Sequence, residues 1–89
     1  MKLNEECMKS VLLEFESFGF DYITEKSFKK SIEKYGFDDV LYSLVKLTDE
    51  CYINASYERT QDGVPHFGEI QDITIKGHQF LEQIKSNKN

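Results

Sequence analysis

Tryptophan is absent from this chain, arginine occurs once, at Arg59, and proline once, at Pro65. One arginine leaves almost none of the bidentate guanidinium forks with which proteins read guanine in the major groove. No run approaches the ~20 consecutive apolar residues that a membrane-spanning helix needs. The start, Met1-Lys2-Leu3-Asn4-Glu5-Glu6, carries acids where a secretory signal would carry an apolar run. A cytoplasmic location without a membrane partner is therefore expected. Cysteine is also scarce, with only Cys7 and Cys51. Two cysteines make no disulfide framework, and with His66 and His78 they show neither C-x-x-C nor H-x-x-x-H spacing. Reduced thiols are expected rather than a metal site, and no cofactor-binding or small-molecule motif is present.

What the chain does have is aromatic bulk and acid. Its 89 residues, enough for one domain over 1–89, include 7 Phe and 5 Tyr, which bury much area per residue in a small core. Charged residues make up 30 %, and the formal net charge is −5. An acidic domain begins with a handicap as a binder of phosphate backbones, which need Lys and Arg to displace counterions.

Periodicity orders the elements. Asn4 is a good N-cap, and Cys7, Met8, Val11, Leu12, Phe15 and Phe18 follow at helical spacing up to Gly19. Phe20-Asp21-Tyr22-Ile23 alternates as a short strand would. Thr24 caps a second helix from Glu25 to about Tyr35, with Phe28, Ile32 and Tyr35 inward and Glu25–Lys29 as a favourable pair. Gly36 stops it. Asp38 is expected to cap the third helix, with Phe37 and Tyr42 as a hydrophobic staple, and that helix runs to about Glu50. From Tyr52 to Glu58 the period falls to two. Gln61-Asp62-Gly63-Val64-Pro65 is a turn, and Phe67–Ile73 is the returning strand, bulged at Gly68. Thr74 caps a last helix with Ile75, Phe80, Leu81 and Ile84 inward, ahead of a frayed tail at 85–89. Helix, short strand, two helices joined by a tight turn, hairpin and helix make an α+β chain. The expected architecture is a winged helix-turn-helix: three helices, a β-hairpin wing and a fourth, C-terminal helix.

The stretch Ile73-Thr74-Ile75-Lys76-Gly77-His78-Gln79-Phe80-Leu81-Glu82-Gln83-Ile84 resembles the "LT-x-x-GH-x-F-L-x-x-I" close of a family of small winged-helix proteins of unknown function. Members occur in Firmicutes and in their phages and prophages. Val40–Ile53 resembles the "VLYHLxLLxEAGLI" segment of the same family. Glu50-Cys51 departs from it, standing where those proteins carry Ala-Gly to leave the helix. The resemblance implies a winged helix, with Gly77 as a point of close approach, and carries no activity with it.

Two functions compete for that fold. DNA binding would use the outward side of helix 3, at Asp38, Asp39, Tyr42, Ser43, Lys46 and Asp49, together with Arg59 and His66 on the wing. From Asp38 to Cys51 four acids face one lysine, a sum of −3, which opposes a phosphate backbone. The basic feature lies instead on helix 2, where Lys26, Lys29, Lys30 and Lys34, set against Glu25 and Glu33, could meet phosphate or an acidic partner. The favoured expectation is a protein-interaction module or homodimer, with the hairpin aromatics Tyr52, Tyr57 and Phe67 as one candidate surface. Enzymatic activity is not expected. His66 should face solvent, His78 should be a partly buried packing residue, and neither belongs to a nucleophile–base–orienter set.

Overall fold

The computed structural model describes residues 1–86. Asn4 caps the first helix, α1 (Glu5–Ser17), its Oδ1 accepting the Cys7 N–H at 3.1 Å. Glu5 and Glu6 place negative charge at the positive end of the helix dipole. The stripe Cys7, Met8, Val11, Leu12 and Phe15 is buried, as its spacing predicts.

The second helix is shorter than expected. Thr24 does cap it, in a reciprocal box with Ser27, but only a single 3-10 turn, Glu25–Ser27, follows. The chain breaks at Phe28 (φ −89°, ψ 60°) before α2 (Lys29–Tyr35) begins. The break accompanies complete burial of the Phe28 ring, which packs 4.9 Å from Phe15 and 5.4 Å from Phe18 between centroids. A continuous helix pattern is blind to this three-ring cluster, because two of its members lie on α1 and just beyond it.

Without a cap of its own, α2 borrows one. Glu14 of α1 accepts the Ser31 N–H at 2.8 Å and the Ser31 hydroxyl at 2.6 Å, and Ser10 lies 2.7 Å from that hydroxyl. A carboxylate thus satisfies an orphan N–H at a helix start crowded by Lys29 and Lys30.

Gly36 ends α2 and begins the third helix, α3 (Phe37–Asp49), with φ at 91°, a backbone region hostile to other residues. Helix α3 therefore starts two residues earlier than expected. Asp38 lies inside its first turn and is not its cap, so the predicted staple has no cap to flank. Val40, Ser43, Leu44, Val45 and Leu47 are buried on α3, and Leu41 is nearly so.

At its other end α3 closes in a Schellman motif. The Tyr52 N–H donates to Leu47 O at 2.9 Å, and the Cys51 N–H donates to Thr48 O at 3.0 Å. Cys51 holds the left-handed position at φ 63° that glycine usually fills.

The hairpin pairs β1 (Ile53–Arg59) with β2 (Pro65–Ile73), antiparallel. Gly68 has no partner between Ser56↔Glu69 and Tyr57↔Phe67, so the expected bulge is present. A second irregularity sets Gln71 and Asp72 against Asn54 alone. Ile53, Ala55, Tyr57, Phe67, Ile70 and Ile73 form the face turned to the helices. The expected short strand at Phe20–Ile23 reduces to one bridge, Ile23↔Ile70.

The last helix, α4 (Ile75–Ser86), is capped by Thr74, whose Oγ1 accepts the Gly77 N–H at 2.9 Å. Leu81 and Ile84 face the core, and Phe80 stacks on Tyr52 at 4.3 Å. Two expectations fail on this helix. Ile75 is 79 % exposed, while Gly77 in the same turn is buried, and residues 85–86 are helical rather than frayed. Residues 87–89 of the expected tail lie outside the described part.

Gly77 is a point of close approach. A Cβ there would overlap the Tyr52 carbonyl oxygen and stand 2.7 Å from Ile73 Cγ1. Four helices and a two-stranded hairpin thus make an α+β fold whose layout is compatible with a winged helix. No helix among the described residues is long and apolar enough to cross a membrane.

Candidate functional site

Two surfaces bear on function. The first is formed by the open strip of α3 and the hairpin. Ser43 leaves the set of contact candidates: it is 1 % exposed, and its hydroxyl faces the Cys7 thiol without a full hydrogen bond. Burial pushes the Cys7 thiol above its usual range, partly offset by the Ser43 hydroxyl beside it, with Asp39 pushing it further up. The outward estimate erred by one helical position, since α3 is enclosed on more than half of its circumference.

Of the remaining candidates on this side, Tyr42, Lys46 and Arg59 are engaged within the domain. Lys46 lies 5.3 Å over the half-buried Tyr42 ring, so its charge covers an aromatic face. Arg59 lies 5.7 Å from the Tyr57 ring, and its guanidinium donates to Gly63 O at 3.1 Å across the hairpin turn. Tyr57 donates its hydroxyl to Asp49 at 2.7 Å, which raises its pKa above the usual tyrosine value. Arg59 thus lies beside the tyrosine–aspartate bond, with Asp38 exposed and Asp39 half-buried at the start of α3. His66 is exposed opposite Glu58 on the hairpin.

Lys26, on the 3-10 turn, and Lys29 and Lys30, at the first turn of α2, are exposed and make no ion pair among the described residues. The expected Glu25–Lys29 pair is not formed. Glu25 instead accepts the Phe67 N–H at 3.1 Å, fastening the turn to β2. Of the hairpin aromatics, Tyr52 is taken up by its stack on Phe80, and Tyr57 leans on Phe67 at 5.3 Å.

The second surface lies where the segment after α1 passes β2. An open groove of about 840 Å³ runs between residues 18–23, β2 and the start of α4. Phe20 is 111 % exposed and Tyr22 is 89 % exposed, both along this groove. His78 also lines the groove. It is an exposed residue, not the partly buried one expected, and its Nδ1 lies 3.1 Å from Glu16. Ile70, buried, and Ile73, half-buried, line the β2 side. Alternation in Phe20–Ile23 predicts a strand, but only Ile23 pairs with β2, and Phe20 stands at a bend. Phe20 and Tyr22 are left exposed beside the groove.

Residues 2–89 match the family model described as Hypothetical protein (DUF2513). The chain belongs to that family. No curated protein matches this DUF2513 chain. No solved structure matches it.

Proposed function

We propose that this DUF2513 domain is a protein-interaction module that docks its partner in the groove between residues 18–23 and β2. The fold is read as a winged helix whose helix-turn-helix face serves as scaffold. The observation that carries the proposal is the full exposure of Phe20 and Tyr22 beside that groove. Exposed large aromatics gathered at a concave site are a mark of protein contact, since aromatics dominate interface cores and hot spots. The resemblance to small winged-helix proteins of Firmicutes and their phages fits a small bacterial or prophage regulator acting through another protein.

The weaker reading is DNA binding through α3 and the hairpin. Asp38 and Asp39 at the start of α3 oppose it, as do the engaged positions of Lys46 and Arg59. Selection from a random peptide display library, with a Phe20→Ala/Tyr22→Ala variant as counter-selection, tests the proposal. Peptides that require both aromatics are expected to enrich. Enrichment of peptides that bind the variant equally well, or of none, refutes it.

A further inference from the structure

We infer that the occupant of the groove is an extended, arginine-bearing peptide segment, with guanidinium groups stacked on Phe20 and Tyr22 and paired with Asp21 and Glu69. The inference rests on the docking reading above and adds the chemistry of the partner. Four carboxylates line the groove, from Glu16, Asp21, Glu69 and Asp72, and neither lysine nor arginine lines it. Two of the four are engaged: Glu16 with His78 at 3.1 Å, and Asp72 with the Asn54 amide at 3.1 Å. Asp21 and Glu69 carry no side-chain bond among the described residues, and both are exposed.

A site that combines free carboxylates with bare aromatic faces suits one side chain above the others. Guanidinium is planar, stacks on aromatic rings, and offers a fork of donors that matches a carboxylate. Lysine supplies the charge without the stacking plane, and a neutral apolar strand leaves the carboxylates unpaired. The overall charge of −5 also favours encounter with a cationic partner. Nucleic acid fails on charge, because its phosphates would meet the carboxylates.

A second copy of this chain is poorly equipped to fill the groove. Its single arginine, Arg59, is already bonded to Gly63 O and lies over Tyr57. Its exposed lysines Lys29 and Lys30 sit on a helix, and Lys2, in the non-helical segment before α1, brings charge without a stacking plane.

The test is fluorescence anisotropy with a labelled peptide of alternating arginine and valine, about eight residues long, the length of a strand. Saturable binding is expected, weakened about tenfold by Phe20→Ala/Tyr22→Ala and about tenfold by Asp21→Asn/Glu69→Gln. Asp38→Asn/Asp39→Asn changes the net charge equally and is expected to leave binding within about twofold. All six positions lie outside the buried core, and unchanged circular dichroism melts confirm that each variant folds. Equal weakening by both charge variants would mean attraction by net charge alone and overturns the inference. Display-selected neutral peptides that need Phe20 and Tyr22, with the arginine peptide inert, overturn it while leaving the docking reading intact. Sedimentation velocity showing a homodimer that Phe20→Ala/Tyr22→Ala dissolves also overturns it, in favour of a second copy.

Discussion

Replacing Cys51 with glycine should make the domain more stable, although it removes a side chain and adds chain freedom. Cys51 holds φ 63° at the position after the C-cap of α3, where the Schellman bonds from Cys51 and Tyr52 fix the geometry. A side-chain-bearing residue in the left-handed region costs about 1–2 kcal/mol through the clash of Cβ with the following carbonyl. Glycine removes that cost but gives the unfolded chain back about 0.4–1 kcal/mol of entropy. The Cys51 side chain is exposed and free, so little packing is lost with it. The net gain should be about 0.5–1 kcal/mol, which for a domain of this size is a rise in Tm of about 2–8 °C. Cys51→Ala keeps Cβ and should leave Tm nearly unchanged, whereas Cys51→Val adds a branched chain at positive φ and should lower it. Thermal denaturation followed by circular dichroism at 222 nm reads all three. A lower Tm for the glycine variant, or equal shifts for glycine and alanine, would refute the backbone argument.

Gly77→Ala should cost about 3 kcal/mol or more, because the new methyl overlaps the Tyr52 carbonyl oxygen, which itself accepts the Thr74 N–H at 3.0 Å. Urea denaturation checks this, and a loss below about 0.5 kcal/mol would show that α4 shifts freely. Glu14→Ala should destabilise by about 1–2 kcal/mol by stripping the borrowed cap from α2, and Ser31→Ala should cost less in that background than alone, since only its bond to Ser10 is then left to lose. Additive losses in the double variant would contradict the shared bond. Tyr57 in the fold loses its proton above the ordinary value near 10.0, because its hydroxyl donates to Asp49 and the carboxylate disfavours the phenolate. Its contribution to stability is therefore full below about pH 10 and is lost as pH rises through the higher folded-state pKa. Tyr57→Phe should remove that alkaline decline, as read from urea midpoints across pH 9–11; an unchanged slope contradicts the assignment.

Local chemistry was well written in the sequence. Asn4, Thr24 and Thr74 all cap as their residue types predict, and Gly68 marks a real bulge. These features depend on a few neighbouring residues and so survive reading along the chain. Longer-range choices were hidden. Ser43 is buried because α3 is packed from several sides, a fact that helical spacing alone does not contain. Glu14 caps a helix 17 residues away, and Glu25 turns from Lys29 to the backbone of Phe67. No periodic pattern announces either bond. The lysine candidates were visible, but the groove was not, because Phe20 and Tyr22 read as a strand and strands usually bury one face.

Chemical-shift mapping on the 15N-labelled protein measures the central claim most directly, with the arginine–valine peptide and a random DNA duplex titrated separately at low salt. The peptide is expected to move the amides of Phe20, Asp21, Tyr22, Glu69 and Ile70, while the duplex moves none strongly. Shifts concentrated on Asp38, Tyr42, Lys46 and Arg59 with DNA, and an undisturbed groove with peptide, would contradict that claim.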